Sequence, residues 1–522
     1  MRVIHLCLAA SAHALAPAPA AAVRQLAKTA GDDIRGIADA AAENSLLPES
    51  AYHIGRGFRK WCGSDAPIVV GRDPRLSGPA LGEAFCRGAL ATDAGPATTP
   101  AMLESLLGDG DACGSVMVTA SHLPPEWNGL KLFSRQLGRG LNKKEVQEVL
   151  ALAAGCADDD AAVGSIASRA VPGVDGFMDE YVAKLRRTIV DGAGAGARPL
   201  EGLKVCVNPG HGSGGFFASE VLEPLGADVS SSVHLEPDGT FPAHPANPED
   251  KKHVAATIDA VAASNADVGV MLDTDVDRCG LIDGTRSPPE PVNRNRLVAL
   301  AASIALETGP GVIVTDPVTS GGMSTFIESR GGAHDRFKMG YRNVIDRAAE
   351  TVPEPALLAI ETSGHSAWRE NNFVDDGCYT AAKLLGRLAK ARNAGAAAGL
   401  LDLLGDELAE PAESIKVLMA VAGGLGDVPA SYEKLSGALG TCERATDSWR
   451  LEPVNHDGLR CRVGSGDWLI ARASLHEPVV SLQMEADDPG GCAAICARIL
   501  EFLAPYDGEL DLSNLRARAE AA

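Results

Sequence analysis

Three aspartates at alternate positions, Asp273, Asp275 and Asp277, stand directly after the apolar run Val268 to Leu272. A tight loop there gathers hard oxygen donors around one divalent cation, and Mg²⁺ is the default where phosphate is handled. The spacing is not that of an EF-hand, because loop position 6 is Arg278 rather than glycine and position 12 is Gly284 rather than glutamate. Read as a bare acidic turn, three carboxylates against a buried strand would repel one another without a counter-ion. Ser121 follows Thr119-Ala120 at the end of a second apolar run and precedes His122. A serine at such a strand end serves as nucleophile or phosphate carrier, with the imidazole managing protons; taken alone, Ser-His is ordinary turn capping. Glu361, Ser363 and His365 lie in Glu-Thr-Ser-Gly-His. Their acceptor, hydroxyls and imidazole suit the adjacent hydroxyls of a sugar, or equally a helix N-cap. Arg472 and Ser474 follow Trp468 to Ala471 and form a phosphate cradle, or in isolation a surface ion pair.

Each of these groups sits where a short β-rich run ends: Ser115 to Val118, Val268 to Leu272, Leu357 to Ile360 and Trp468 to Ala471. Three further runs, Ile68 to Val70, Val205 to Val207 and Val312 to Val314, open segments in the same way. Ala/Leu-rich helical patterns such as Leu141 to Ala154 and Tyr379 to Ala391 separate them, which predicts α/β units with buried strands. In open α/β sheets the loops at strand C-termini bind ligands. The expected architecture is α/β with four domains: three topologically similar mixed α/β domains and a smaller C-terminal α+β domain. The expected boundaries are a targeting or disordered N-terminus at 1–30, then domains at 31–190, 191–308, 309–412 and 413–522. The Gly/Ala-rich stretch Asp191 to Pro199 reads as a linker.

The 522 residues suffice for three or four domains at roughly 150 each. A net charge of -22 argues against sequence-independent nucleic-acid binding, so an anionic substrate must meet a local basic pocket. The 12 cysteines contain no C-x-x-C and read as small buried hydrophobes of a reducing compartment. Arg2, an apolar stretch to Ala12 and then Ala12-His13-Ala14 resemble a secretory signal. The Ala-rich, basic sequence that follows resembles a transit segment, so the expected location is a plastid or the cytoplasm. One motif competes with the rest: Gly210-His211-Gly212-Ser213-Gly214-Gly215 fits G-x-G-x-x-G before a helical Phe216 to Leu222. It makes a dinucleotide-binding oxidoreductase an alternative, against its reading as a tight turn packed on a neighbour.

Taken in chain order, the loops resemble those of the α-D-phosphohexomutases, the phosphoglucomutase and phosphomannomutase family, which implies four domains around a central cleft, each contributing one loop. Thr119-Ala120-Ser121-His122-Leu123-Pro124 is similar to the family's T-A-S-H-N-P, Asp273 to Arg278 to D-G-D-G-D-R, Glu361 to His365 to G-E-x-S-G-H, and Arg472 to Pro478 to R-x-S-x-T-E-P. Asp33-Ile34-Arg35-Gly36, Gly71-Arg72-Asp73-x-Arg75 and Asn128-Gly129-Leu130-Lys131 also resemble family motifs. Leu123, Thr274, Val276, Leu475 and His476 depart from the pattern.

The resemblance implies reversible transfer between the 1- and 6-positions of a hexose phosphate, glucose and also mannose, through a phosphoserine and a hexose 1,6-bisphosphate. It implies Ser121, His122, Lys131, Arg35 and His365 as catalytic residues, and Ser121, Asp273, Asp275 and Asp277 as ligands of Mg²⁺. Glu361, Ser363, Arg278, Arg472, Ser474, His476 and Lys338 are the implied substrate-binding residues. Hexose 1,6-bisphosphate would serve as activator and intermediate, in a monomer or dimer with no membrane span and no nucleic-acid partner. A phosphoglucosamine mutase and a non-catalytic phosphosugar-binding paralogue are the alternatives within this family.

Overall fold

The computed structural model describes residues 19–520 except 109, 160–175, 195, 293, 443–447, 465, 475–477 and 505–509. The described chain divides into two compact units. The first comprises residues up to 187 together with 204–260 and 270–277; the second holds 188–203, 261–269 and everything from 278 onward.

In the first unit a mixed sheet runs in the order Ile34–Ile37, Trp127–Ser134, Gly114–Val118, Ile68–Arg72, Thr92–Pro96. Its three inner and outer strands from Gly114 to Thr92 are parallel, whereas Trp127–Ser134 returns antiparallel and pairs Lys131 with Met117 and Gly129 with Arg35. The strand Gly114–Val118 is buried along its whole length, as its Val/Met composition requires for a strand covered on both faces. Helices Pro48–Cys62, Gly78–Ala89 and Lys143–Asp159 pack against this sheet through one apolar core. Gly129 is obligatory in it: a Cβ there would lie 2.5 Å from the Thr119 carbonyl oxygen and 2.6 Å from that of Ile34.

In the second unit, strands Ala333–Arg336, Val312–Thr315 and Leu358–Ile360 are parallel and Ser366–Trp368 closes the sheet antiparallel. A five-stranded antiparallel sheet follows, in the order Glu413–Ala420, Val479–Ala486, Asp467–Ala473, Leu459–Val463, Trp449–Leu451. Its inward residues alternate along each strand and meet helices Val428–Leu439 and Gly491–Leu503 in a separate core. Arg460 stitches the two sheets: its guanidinium stacks 3.7 Å from the Trp468 ring centre and donates to the carbonyls of Pro317 and Thr319.

Three expectations need correction. Residues 19–29 are not a targeting tail but a helix, Pro19–Thr29, whose Val23 and Leu26 are buried in the core of the first unit. The Ala-rich composition imitates a transit segment, while the apolar spacing is that of an amphipathic helix. Residues 1–18, which carry the signal-like start, lie outside the described residues. The proposed linker begins too early, because helix Phe177–Ala193 continues through Asp191 and Gly192. A Cβ at Gly192 would sit 3.4 Å from the Gly386 Cα, so this glycine permits two helices to approach. Finally, Phe216 to Leu222 is not an α-helix but a 3₁₀ turn, Ser213–Gly215, and a π-helical stretch, Phe217–Leu222. Of the 11 described cysteines nine are buried, and none of these 11 is in a disulfide. Among the described residues no helix is long and apolar enough to cross a membrane.

Candidate active site

Ser121 stands just past the buried strand Gly114–Val118, at φ 51°, in the left-handed region. Its amide donates to Thr119 Oγ1 at 2.9 Å, and Thr119 Oγ1 in turn donates to Asp73 Oδ2 at 2.7 Å. This turn directs the side chain at the aspartate loop, where Ser121 Oγ donates to Asp273 Oδ2 at 3.0 Å. His122 Nδ1 lies 3.2 Å from the same serine oxygen. Burial pushes the Asp73 carboxyl up to about 6, against Arg75 and Thr119, which favour its charged form.

The three aspartates are fully buried, and a carboxylate oxygen of each lies within 4.8 Å of the others'. Thr99 clamps the centre of the loop: its amide donates to the Asp275 carbonyl at 2.9 Å and its hydroxyl to Asp275 Oδ2 at 2.6 Å. Lys131 Nζ meets Asp275 Oδ2 at 2.9 Å and also contacts Asp277 Oδ2. Asp275 Oδ1 is buried without a hydrogen-bonding partner among the described residues. Three carboxylates buried this close together repel one another, which is costly unless neutralised. An all-oxygen donor set of this charge fits a hard divalent cation. Val276 adopts φ 74° in this loop, a conformation that costs an L-residue about 1–2 kcal/mol.

Arg35 lies on the neighbouring strand, opposite Gly129, and bonds Asp33 at 2.9 Å. The glycine motif at 210–215 has no room for a dinucleotide. Cβ atoms at Gly212, Gly214 and Gly215 would fall 2.8 Å from Thr274, 2.7 Å from Leu272 and 2.2 Å from the Leu235 carbonyl oxygen. The space a pyrophosphate needs is filled by protein, and the Ser213 amide is spent on the Thr274 carbonyl. The motif is a tight turn that buttresses the aspartate loop.

In the second unit the Glu-Thr-Ser-Gly-His loop is built around two carboxylates. Asp316 Oδ2 accepts the amide and hydroxyl of Thr362 at 2.8 and 2.6 Å. Glu361 accepts the Gly340 amide at 2.7 Å and the Ser363 hydroxyl at 3.2 Å. Burial first, and then the negative charge of Asp316, push the Glu361 carboxyl up to about 7. Gly364, at φ 98°, must be glycine because a Cβ would lie 2.5 Å from the Cys279 carbonyl oxygen. That contact brings buried Arg278 alongside, its backbone bridged to His365. His365 Nδ1 is 2.7 Å from Asp375 Oδ2 and its ring stacks on Tyr341 at 5.0 Å. The carboxylate fixes a proton on Nδ1, which leaves Nε2 as the basic nitrogen.

Arg472 donates to Asp457 at 2.9 Å and touches Met339 Sδ, and its Nε is buried without a hydrogen-bonding partner among the described residues. The Ser474 amide donates to the Val479 carbonyl. Lys338 is exposed, next to Met339, in the segment after Ala333–Arg336. Leu475 and His476 lie outside the described residues. The structure thus gathers Ser121, His122, Lys131 and the aspartates in one cluster, and Arg278, Glu361, Ser363 and His365 around one loop. Of the supporting residues, Asp73 and Arg75 stood in the Gly71-Arg72-Asp73-x-Arg75 motif without a role, and Thr99, Asp316, Asp375 and Asp457 were not singled out from sequence.

Comparison with known proteins agrees with this geometry. Three family models match: phosphoglucomutase/phosphomannomutase alpha/beta/alpha domain I over residues 26–155, domain II over 179–287 and domain III over 293–403. A phosphoglucomutase of Neisseria gonorrhoeae is 30% identical over 473 residues, covering 87% of this chain and 92% of the relative. A phosphomannomutase/phosphoglucomutase of Pseudomonas aeruginosa is 30% identical over 466 residues, covering 87% and 90%. Among solved structures, a phosphoglucomutase/phosphomannomutase family protein of Burkholderia thailandensis superposes with a TM-score of 0.75 at 27% identity, over 93% of this chain and 99% of that one. The Paramecium phosphoglucomutase parafusin shares the fold, with a TM-score of 0.70 at 15% identity over 91% and 94%. With its serine loop, buried acidic triad and sugar-type loop in place, the chain belongs to the phosphoglucomutase/phosphomannomutase family of α-D-phosphohexomutases.

Proposed function

We propose that the protein interconverts the 1- and 6-phosphates of a hexose, glucose and also mannose, by way of phospho-Ser121 and a hexose 1,6-bisphosphate. The observation that carries this reading is Ser121 Oγ at 3.0 Å from Asp273 in a fully buried nest of three aspartates. The substrate's free hydroxyl attacks the phosphorus of phospho-Ser121, the P–Oγ bond breaks, and the bisphosphate forms. After it turns over, its other phosphate returns to Ser121 and the isomeric monophosphate leaves. Asp273, Asp275, Asp277 and the Ser121 oxygen would hold a divalent cation, with Mg²⁺ our choice, which supplies charge neutralisation at the phosphoryl oxygens when bound.

The residues divide the remaining work. His122, beside Ser121 Oγ, returns a proton to that oxygen as the phosphoryl group departs. Lys131 is shared by two carboxylates of the aspartate loop. Lys131 or His365, the latter held through Nδ1 by Asp375, takes the substrate's hydroxyl proton. Arg35 and Arg278 hold the transferring group, while Glu361 and Ser363 take the sugar hydroxyls. Arg472, Ser474, Lys338 and His476 grip the phosphate that is not reacting. Exclusion of water protects the phosphoserine from hydrolysis.

The deciding assay is conversion of glucose 1-phosphate to glucose 6-phosphate, with a rate that rises on adding glucose 1,6-bisphosphate. Rapid release of inorganic phosphate instead would make the protein a phosphatase. We place it in a plastid or the cytoplasm as a monomer or dimer. A targeting cleavage that spares the core would leave Val23 and Leu26 in place.

A further inference from the structure

Arg75 is a fully buried arginine that sequence spacing connects to nothing reactive. A guanidinium has five N–H donors in a fixed fork, and here all five are used. Nε donates to Asp73 Oδ2 at 3.1 Å. One terminal nitrogen donates to the carbonyls of Ser121 and Leu123 at 2.5 and 2.6 Å. The other donates to those of Pro124 and Trp127 at 2.6 and 2.9 Å. Four carbonyls of a single turn therefore converge on one side chain. The Phe241 ring lies 5.2 Å from its Cζ, and Gly239 presses so closely that a Cβ would fall 2.2 Å from the Pro74 carbonyl oxygen.

The same Asp73 that anchors Arg75 also holds Thr119, whose hydroxyl oxygen accepts the Ser121 amide. Both peptide groups flanking Ser121 are thereby fixed: the amide through Thr119 and Asp73, the carbonyl through Arg75. These bonds act on a residue in the left-handed region, which an unsupported serine leaves readily.

Building on the phosphoserine reading, we propose that Arg75 is a positioning residue for phosphoryl transfer: it holds the Ser121 backbone left-handed so that Oγ faces the acidic nest. Arg75 touches no reacting atom; it acts through the turn. Lysine cannot replace it, because three rotatable donors on a point charge cannot span four carbonyls and a carboxylate.

The test compares Arg75→Ala, Arg75→Lys and Thr119→Val in the full chain. Arg75→Ala should lower kcat about 100-fold, the scale expected when a reacting group is misplaced by an ångström, with KM for glucose 1-phosphate little changed. Methylguanidinium in the assay should restore part of that kcat, and methylammonium should not. Thr119→Val removes the amide pin and the hydroxyl's bond to Asp73, leaves the Arg75 bonds to the turn, and should lower kcat about tenfold at constant KM. Thr119→Val serves if the arginine variants do not fold: with Arg75 still bonded to the Ser121 carbonyl, its crystal structure should show Ser121 kept in the left-handed region. Wild-type kcat in folded Arg75→Ala, or a Ser121 that leaves the left-handed region in the Thr119→Val crystal while Arg75 keeps its bonds, overturns the proposal. A wild-type chain that fails to turn over defeats the phosphoserine reading instead, and the crystal result still decides the role of the turn.

Discussion

The serine cluster of the first unit and the sugar-type loop of the second handle buried charge in opposite ways. Around Ser121 the carboxylates meet cationic and hydroxyl partners: Lys131 sits between Asp275 and Asp277, Thr99 donates to Asp275 and Arg75 pairs with Asp73. Around Glu361 two carboxylates, Glu361 and Asp316, are buried with mostly neutral donors, and burial raises both. The first arrangement pre-forms a geometry; the second stores an acceptor that is only partly ionised near neutral pH. A group that must act on phosphorus has to be fixed before the reaction. A group that grips a sugar gains by exchanging weak bonds for those of the ligand.

The largest expected effect breaks the first side of that comparison. Ser121→Ala should lower turnover by at least about 10³-fold, because no other group can carry the phosphoryl. Asp275→Asn, or removal of divalent cations with EDTA, should come close to it, measured as glucose 6-phosphate production with and without added Mg²⁺. A variant at Ser121 that keeps substantial turnover would remove the distinction between the two regions.

Glu361 sharpens the second side. Its carboxyl titrates at about 7, so the fraction able to accept sugar hydroxyls falls as pH drops through that value. kcat/KM should therefore decline on the acid side of about 7, and Glu361→Gln should lose that limb together with about 10–100-fold of kcat/KM. The sign for stability is reversed. A carboxyl raised in the folded state favours the protonated fold, so stability is lost as pH rises through about 7. Glu361→Gln should consequently raise Tm at pH 8 more than at pH 5, read by calorimetry at both values.

Val276 predicts the smallest change. Replacing it with glycine removes buried side chain, at a cost of about 1.5–3 kcal/mol, and relieves left-handed strain of about 1–2 kcal/mol. Val276→Gly should therefore cost less than about 2 kcal/mol by urea unfolding, and clearly less than Val270→Gly in the adjoining strand, where no strain is relieved.

How much of this was legible in sequence follows from where each partner lies along the chain. The reactive side chains were readable because each follows an apolar run that can only be a buried strand, and strand ends present loops. Arg75 was visible as part of Gly71-Arg72-Asp73-x-Arg75, but its partners are backbone carbonyls 46 to 52 residues away, and carbonyls carry no sequence signature. Asp375 lies ten residues from His365 and reads as an ordinary acidic pair with Asp376 until the strand Ser366–Trp368 folds back. The glycine run at 210–215 misled in the other direction: its glycines serve crowding by protein rather than access for a phosphate. Helix Pro19–Thr29 was hidden by composition, although Val23, Leu26 and Ala30 already carried its periodicity.

The central claim is that Ser121 carries the phosphoryl group. The direct measurement is to incubate the purified chain with glucose 1,6-bisphosphate, map phosphate by peptide mass spectrometry, and then add glucose 1-phosphate. The account predicts one phosphoryl group on Ser121 that leaves with the sugar on the timescale of turnover. Phosphate on another residue, or a phospho-Ser121 that persists while turnover proceeds, would contradict it.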